Sequence, residues 1–210
     1  MQRRELSGPP GIKTLVVPAT PALLKPGYEC LSAEERARFH QYTSIKRRRE
    51  FVAGRVAARE LLSKHLGCSP SDVPLQTCSS GAVIVDAEEW CVSIAHSGAW
   101  AGAACAQHKV GLDLEEETSR SDKLERFMLH EEDRNLWPTA PTSEEVVRWW
   151  VIKEAVLKAR QSGLRMMATR LQMLERPDSN SPVRVEEPDG TRWKVWFGKL
   201  DNYAWAIAAP

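Results

Sequence analysis

No stretch of this 210-residue chain stays apolar for long enough to cross a bilayer. The charged opening Met1-Gln2-Arg3-Arg4-Glu5 leads into no apolar signal-peptide core. The chain therefore reads as cytoplasmic, with no membrane partner. Charge of one sign is also missing. Twenty-nine basic and 28 acidic residues leave a formal net charge of +1, so any attraction to an anion must come from local clustering. Paired cysteines are absent: Cys30, Cys68, Cys78, Cys91 and Cys105 are an odd, scattered set without CxxC. They read as buried free thiols rather than a zinc site or a disulfide framework. There is no GxGxxG, GxxxxGK[ST], GxSxG or HExxH, which removes the usual signs of a dinucleotide fold, a P-loop, a hydrolase elbow and a zinc protease. We find no low-complexity tail and no clear residue-level repeat.

What is present is an ordinary globular balance of 42% hydrophobic and 27% charged residues, enough for one large domain or two halves sharing an interface. Residues 12–17 read as a first strand. Ser32-Ala33-Glu34-Glu35 is a capping box opening a helix to about Tyr42. A second helix runs from about Ile45 to Leu66, with Phe51, Val52, Val56, Leu61, Leu62 and Leu66 on its apolar side and Gly67 as its stop. Short strands are expected at 83–85, 91–95, 100–106 and 110–114. A second cycle follows. A helix is expected over about Lys123 to Leu136, then another from the capping box Thr142-Ser143-Glu144-Glu145 to about Ser162, stopped by Gly163. A surface loop at Ser179-Asn180-Ser181-Pro182 precedes three closing strands at 183–186, 191–197 and 203–208, the first two joined by the turn Pro188-Asp189-Gly190. Each half offers helices and then antiparallel strands, so the expected class is α+β with two similar halves joined near residues 106–118.

Three places can carry chemistry. In Val110-Gly111-Leu112-Asp113-Leu114-Glu115, a strand would turn Asp113 and Glu115 to one side and Leu112 and Leu114 to a core. Two carboxylates so close repel unless a cation lies between them, and a hard oxygen-liking ion suits the pair; a solvated strand end is the plainer reading. In Trp150-Val151-Ile152-Lys153-Glu154-Ala155-Val156-Leu157-Lys158, Glu154 and Lys158 share a helix face with Trp150. That combination is either a surface ion pair or one wall of a cleft. His96, in Ala95-His96-Ser97-Gly98, sits in a polar break of an apolar hairpin, where it is either structural or a phosphate contact. A basic stretch, Arg36, Arg38, Lys46-Arg47-Arg48-Arg49, Arg55 and Arg59, offers guanidinium forks that suit phosphate or simply solvated helix faces. With near-neutral charge and no interleaved stacking aromatics, it does not read as a nucleic-acid site.

The order His96-Ser97-Gly98, then Gly111-Leu112-Asp113-Leu114-Glu115, then Trp150-x-x-Lys153-Glu154-Ala155-x-x-Lys158 and Gly163-Leu164, resembles the 4′-phosphopantetheinyl transferases, in particular their larger two-half type. The resemblance covers about Leu31 to Leu164. It implies two similar α/β halves in a pseudo-twofold arrangement, with antiparallel sheets and a long helix in each. Residues 1–107 would contact the coenzyme A 3′-phosphate and residues 108–210 would hold the metal and the transfer residues, in a monomer with its site between the halves. It implies that the 4′-phosphopantetheine arm of coenzyme A moves to a serine of an apo acyl or peptidyl carrier protein, releasing 3′,5′-adenosine bisphosphate. Magnesium would lie among Asp113, Glu115 and Glu154. Glu154, with Glu132 as an alternative, would take the serine proton, and Lys158 would hold the pyrophosphate. Arg38, with Arg36 beside it, and His96 would reach the 3′-phosphate. The carrier's acidic docking helix would meet a basic, partly apolar surface near the cleft.

Three positions depart from the family pattern: Ala95 where serine is usual, Gly81-Ala82-Val83 where Gly-Lys-Pro is usual, and Gln76 where a basic residue is usual. They thin the contacts to the adenosine end of the cofactor. Two other readings of the same residues are a module that binds coenzyme A or a carrier without catalysis, and a magnesium-dependent phosphodiesterase that uses water as nucleophile.

Overall fold

A computed structural model describes residues 2–78, 81–87, 89–117, 124–161, 166–177 and 182–210. The chain opens with β1 (Lys13–Pro18), α1 (Pro21–Glu29), α2 (Ala33–Gln41) and α3 (Ile45–Leu66). Strands β2 (Leu75–Thr77), β3 (Val83–Val85), β4 (Cys91–Ser97), β5 (Trp100–Ala106) and β6 (Gly111–Glu116) follow. After α4 (Glu125–Met128) and α5 (Ser143–Ala159) come β7 (Gln172–Met173), β8 (Val183–Glu186), β9 (Arg192–Leu200) and β10 (Tyr203–Ala209). One antiparallel sheet has the order β1-β5-β4, a second the order β6-β10-β9-β8-β7, and β2 pairs with β3. The fold is α+β as expected. Each half lays a long helix on an antiparallel sheet, α3 on β1, β5 and β4, and α5 on β6, β10 and β9. The two sheets are unequal, with three and five strands. Among the described residues no helix is long and apolar enough to cross a membrane.

The helix ends follow local chemistry. Both expected capping boxes form, Ser32 with Glu35 and Thr142 with Glu145. Ser44 caps α3, and Gly67 ends it in the left-handed region at φ 65°. The turn at Pro188-Asp189-Gly190 closes the β8–β9 hairpin through Glu187 N–H to Thr191 O, 2.9 Å. The expected Gly163 stop, the loop residues Ser179 to Ser181 and the Lys123 helix start lie outside the described residues.

Three elements escape the sequence pattern. Pro21–Glu29 is helical, with a proline in its first turn and Pro26 within it; β2 and β7 are three and two residues long. The expected helix to Leu136 is corrected: α4 stops at Met128, Leu129 is extended at ψ 123°, and a 3-10 turn takes over at Glu132–Asn135. The cause is Asp133. Its buried carboxylate accepts the N–H groups of His130 and Met173, both at 2.8 Å, and so bends the chain away from a helical path.

The halves are joined in two ways. Strands β4 and β6 meet at the edges of their sheets, where Ser93 and Ser97 hydroxyls accept the Leu112 and Glu116 N–H groups at 2.9 and 3.1 Å. A single core also crosses the junction. Val16, Ala95, Trp100 and Ala104 of the first half pack with Leu112, Leu114, Trp205 and Ile207 of the second. The expected inward turn of Leu112 and Leu114 is thus observed, which places Asp113 and Glu115 on the other face, towards α5.

Candidate active site

The cleft begins with a glycine. A Cβ on Gly111 would stand 1.9 Å from the Ala155 carbonyl oxygen and 2.4 Å from the Ala159 nitrogen, so α5 crosses β6 in direct backbone contact. Two residues further along the strand face lies Asp113, and one turn along the helix lie Glu154 and Lys158. Lys158 Nζ donates to Asp113 Oδ1 at 2.6 Å. Asp113 is 5% exposed, and its Oδ2 is buried with no partner. Glu115 accepts from Ser97 Oγ at 2.9 Å, a bond that crosses the two halves. Burial, followed by the negative charges of Asp113 and Glu115, pushes the Glu154 carboxyl up to about 7, with Lys158 pulling the other way.

One lobe of the cleft has a volume of about 210 Å³ and is lined by Gly81, Val83, Ile94, Glu154, Lys158 and Gln161 among others. A second lobe of about 120 Å³ shares Gly81, Val83 and Ile94 and adds Arg38, Arg47, Glu50, Arg55 and His96. Glu154 and Lys158 line one lobe, and Arg38, Arg47 and Arg55 line the other beside Glu50, which suits a ligand with negative charge at both ends. Burial, then the charges of Arg47 and Lys158, lowers His96 to about 4, so the ring is neutral in the free protein.

The other expected site residues sit as follows. Arg38 lines the second lobe and donates from Nε to the Tyr42 hydroxyl at 3.1 Å. Arg36 is turned outwards, donating to Glu29 O at 2.9 Å with its guanidinium over Tyr28, and lies outside the lining of both lobes. Glu132 is exposed on its 3-10 turn, with its own N–H donated to His130 Nδ1 at 3.1 Å, and is likewise outside both linings. Trp150 is half-buried against the second-half core, whereas its neighbour Trp149 is the fully buried one.

Several basic residues that could pass for solvated faces are internal. Arg59 is 1% exposed and divides its donors between Glu35, 2.7 Å away, and the carbonyls of Pro70, Ser71 and Val73. Arg55 Nε pairs with Glu35 Oε1 at 2.9 Å. Lys153, one residue before Glu154, is fully buried. It donates to Asp133, to Met128 O at 2.6 Å and to Leu171 O at 2.7 Å, fastening α5 to two other segments. No spacing rule pairs Lys153 with Asp133 or Arg59 with Glu35, because each pair is made by the tertiary fold. Arg47 was also missed as a cleft residue; its only sequence mark is membership of the basic run.

Among the described residues, no three His, Cys, Asp or Glu side chains are gathered as a finished metal cage. The donor chemistry nevertheless fits a hard dication. Asp113 Oδ2 is an orphaned buried acceptor, burial and then two neighbouring acids keep Glu154 near its protonated form, and the Lys158 ammonium rests on Asp113 where positive charge is needed.

Residues 34–106 match the model of the 4′-phosphopantetheinyl transferase N-terminal domain, and residues 109–208 match that of the 4′-phosphopantetheinyl transferase superfamily. The 4′-phosphopantetheinyl transferase HetI of Nostoc sp. is 34% identical over 146 residues, which is 64% of this chain and 61% of that protein. A putative 4′-phosphopantetheinyl transferase of Synechocystis sp. is 28% identical over 206 residues, covering 88% of this chain and 82% of that one. The 4′-phosphopantetheinyl transferase Sfp of Bacillus subtilis is 27% identical over 183 residues, with 74% and 81% covered. With the two family models meeting at the junction of the halves and running from residue 34 to residue 208, the chain belongs to the 4′-phosphopantetheinyl transferase superfamily.

Proposed function

We propose that this protein transfers the 4′-phosphopantetheine group of coenzyme A to a serine of an apo acyl or peptidyl carrier protein, leaving 3′,5′-adenosine bisphosphate. The observation that carries the reading is that Lys158, which lines the cleft with Glu154, is bonded to Asp113, whose Oδ2 is buried and unpartnered. The first half, residues 1–107, supplies His96 and Arg38 for the 3′-phosphate. The second, residues 108–210, supplies the acids and Lys158. Arg36, bonded to Glu29 O and lying over Tyr28, and Glu132, exposed on its 3-10 turn, take no part in the transfer.

Asp113, Glu115 and Glu154 would hold magnesium. When bound, that ion supplies positive charge to the pyrophosphate oxygens as negative charge builds there. Lys158 leaves Asp113 for the pyrophosphate and holds it as a point charge. Glu154 removes the proton from the carrier serine directly or through a water. The serine oxygen then bonds to the phosphorus on the pantetheine side, and the bond to the bridging oxygen breaks. Because one chain carries both walls, the protein works as a monomer. Its cysteines are all free thiols, in keeping with action in the reducing cytoplasm.

The test is to incubate the protein with magnesium, coenzyme A and a panel of apo carriers, and to weigh the carriers. Gain of one phosphopantetheine supports transfer. Bound cofactor without any gain points to a binding module, and bisphosphate released without carrier points to hydrolysis. Asp113→Ala should lower transfer by at least about a hundredfold, the scale expected when a group that stabilises transition-state charge is removed, while the circular dichroism spectrum stays unchanged. Transfer at the wild-type rate in this variant sinks the assignment of Asp113.

A further inference from the structure

Two serines of β4 stitch the first half to β6, and they are not equivalent. Side chains alternate along a strand, so Ser93, Ala95 and Ser97 face one way while Ile94 and His96 line the cleft. Ser93 Oγ accepts the Leu112 N–H at 2.9 Å, and Ser97 Oγ accepts the Glu116 N–H at 3.1 Å. A hydroxyl also has a proton to give. Ser97 gives it to Glu115 Oε2 at 2.9 Å, so this one side chain grips two adjacent residues of the other half. Ser93 makes the matching strand bond with no acid as its partner among the described residues.

The turn that carries Ser97 is itself locked. Ser97 stands opposite Trp100 across a tight turn through Gly98 and Ala99. Gly98 has φ 54°, and a Cβ there would lie 2.6 Å from the Tyr203 hydroxyl and 2.8 Å from Glu116 Oε2. The Ala99 N–H donates to the same Tyr203 hydroxyl at 3.0 Å. Ser97 is buried, so its donor has a fixed place relative to β6. Glu115 is half-buried near the end of that strand, and a glutamate has several torsions to order before its carboxylate can serve a cation. Asp113 is held by Lys158 of its own half, whereas Glu115 is held from the first half. A hydroxyl donated to a carboxylate favours the ionised form and leaves lone pairs for an ion.

We propose that Ser97 is a positioning residue for the metal seat: its hydroxyl, locked into the β4–β5 turn, holds the Glu115 carboxylate ionised and in the rotamer that meets the ion. An acid of the second half thus takes its order from the first. The inference rests on the proposed function, in which Glu115 is one of the magnesium residues, and the test separates the two.

Manganese stands in for magnesium. Its binding in the presence of coenzyme A is measured by electron paramagnetic resonance of the free ion, for the wild type, Ser97→Ala, Ser97→Thr and Ser93→Ala, beside denaturant unfolding of each. Ser97→Ala should weaken manganese about tenfold or more, the usual loss when the partner of a ligating side chain is removed. Ser97→Thr returns the hydroxyl and should recover most of the affinity. Ser93→Ala removes the matching strand bond, so it should lose comparable stability and yet bind manganese as the wild type does. In carrier modification, the Ser97→Ala deficit should appear as a raised magnesium requirement that excess magnesium largely overcomes. Should the alanine chain not fold, Ser97→Cys, near in size but a weak donor, carries the same expectation. Wild-type affinity in the folded Ser97 variant, or an equal loss in Ser93→Ala, overturns the inference and leaves the proposed function standing. A wild type that binds no manganese overturns the metal assignment within the proposed function, and the inference with it.

Discussion

At the scale of single residues, the site depends on charges whose partners are distant in sequence. Asp113 with Glu115, and Glu154 with Lys158, were legible because two-residue and four-residue spacings put side chains on one face of a strand or a helix. That Asp113 would meet Lys158 was not legible from spacing, since 45 residues separate them and the meeting is made by α5 lying on β6. Burial was equally hidden: Lys153 looks like its neighbour Lys158 in the sequence, yet it is inside the fold. Replacing it by methionine strands the Asp133 carboxylate and the carbonyls of Met128 and Leu171. Lys153→Met should therefore cost about 3–5 kcal/mol in denaturant unfolding. The double variant Lys153→Met with Asp133→Leu should recover little, because the His130 and Met173 N–H groups are then orphaned as well. Recovery to near wild-type stability would show the pair to be a simple ion pair rather than a joint between segments.

Two residues of the cleft also set opposing pH dependences in the free protein. Glu154 titrates at about 7 when folded against an ordinary 4.5, so the folded state keeps a proton that the unfolded chain loses, and stability falls as pH rises between those values. His96 titrates at about 4 against 6.5, so the unfolded chain binds a proton that the folded state refuses, and stability rises over that range. The slopes largely cancel from about pH 4.5 to 6.5. Separate variants should expose them. In metal-free buffer, the melting temperature of His96→Gln should fall, relative to wild type, as pH rises from about 5 to 7, and that of Glu154→Gln should climb. Parallel curves for all three proteins would mean that neither group is perturbed.

At the scale of elements, caps and alternation carried the prediction well. Both capping boxes, the α3 stop at Gly67 and the three closing strands appear close to where the pattern puts them. Failures came where a tertiary contact decided the local path: Asp133 ends the helix expected to reach Leu136, and the two- and three-residue strands exist only because a neighbour pairs with them. Gly111 shows an element boundary acting on function. Alanine there must push α5 off β6, because the contact is with helix backbone rather than a movable side chain. Gly111→Ala should cost about 1–3 kcal/mol, the usual range for overpacking. It should also move Glu154 and Lys158 away from Asp113 and depress transfer well below the temperature at which the variant melts. A variant that is destabilised but transfers normally when folded would show that the site tolerates a looser helix.

At the scale of the whole molecule, the two-half arrangement was read from the repeated order of helices and strands. The junction was not legible, because it is built from residues that alternate on strands of both halves and look like ordinary core. Trp100, Ala104 and Val16 pack against Leu112, Trp205 and Ile207, so neither half has a complete core without the other. Exposing such a face in water forfeits roughly 25 cal/mol for each Å² of apolar surface, and the serine bonds from β4 to β6 are lost with it. The halves should therefore unfold as one. Intact protein should run as a 23.6 kDa monomer in light scattering and show a single transition by heat and by denaturant. Residues 1–107 and 108–210 expressed separately should be unfolded or aggregated, and mixing the two fragments should restore structure and carrier modification together. Restored structure without transfer would mean that the cleft needs the covalent link. Fragments that fold alone would mean that the shared core is a docking contact between independent domains, and the site would then have to form by domain closure rather than by folding.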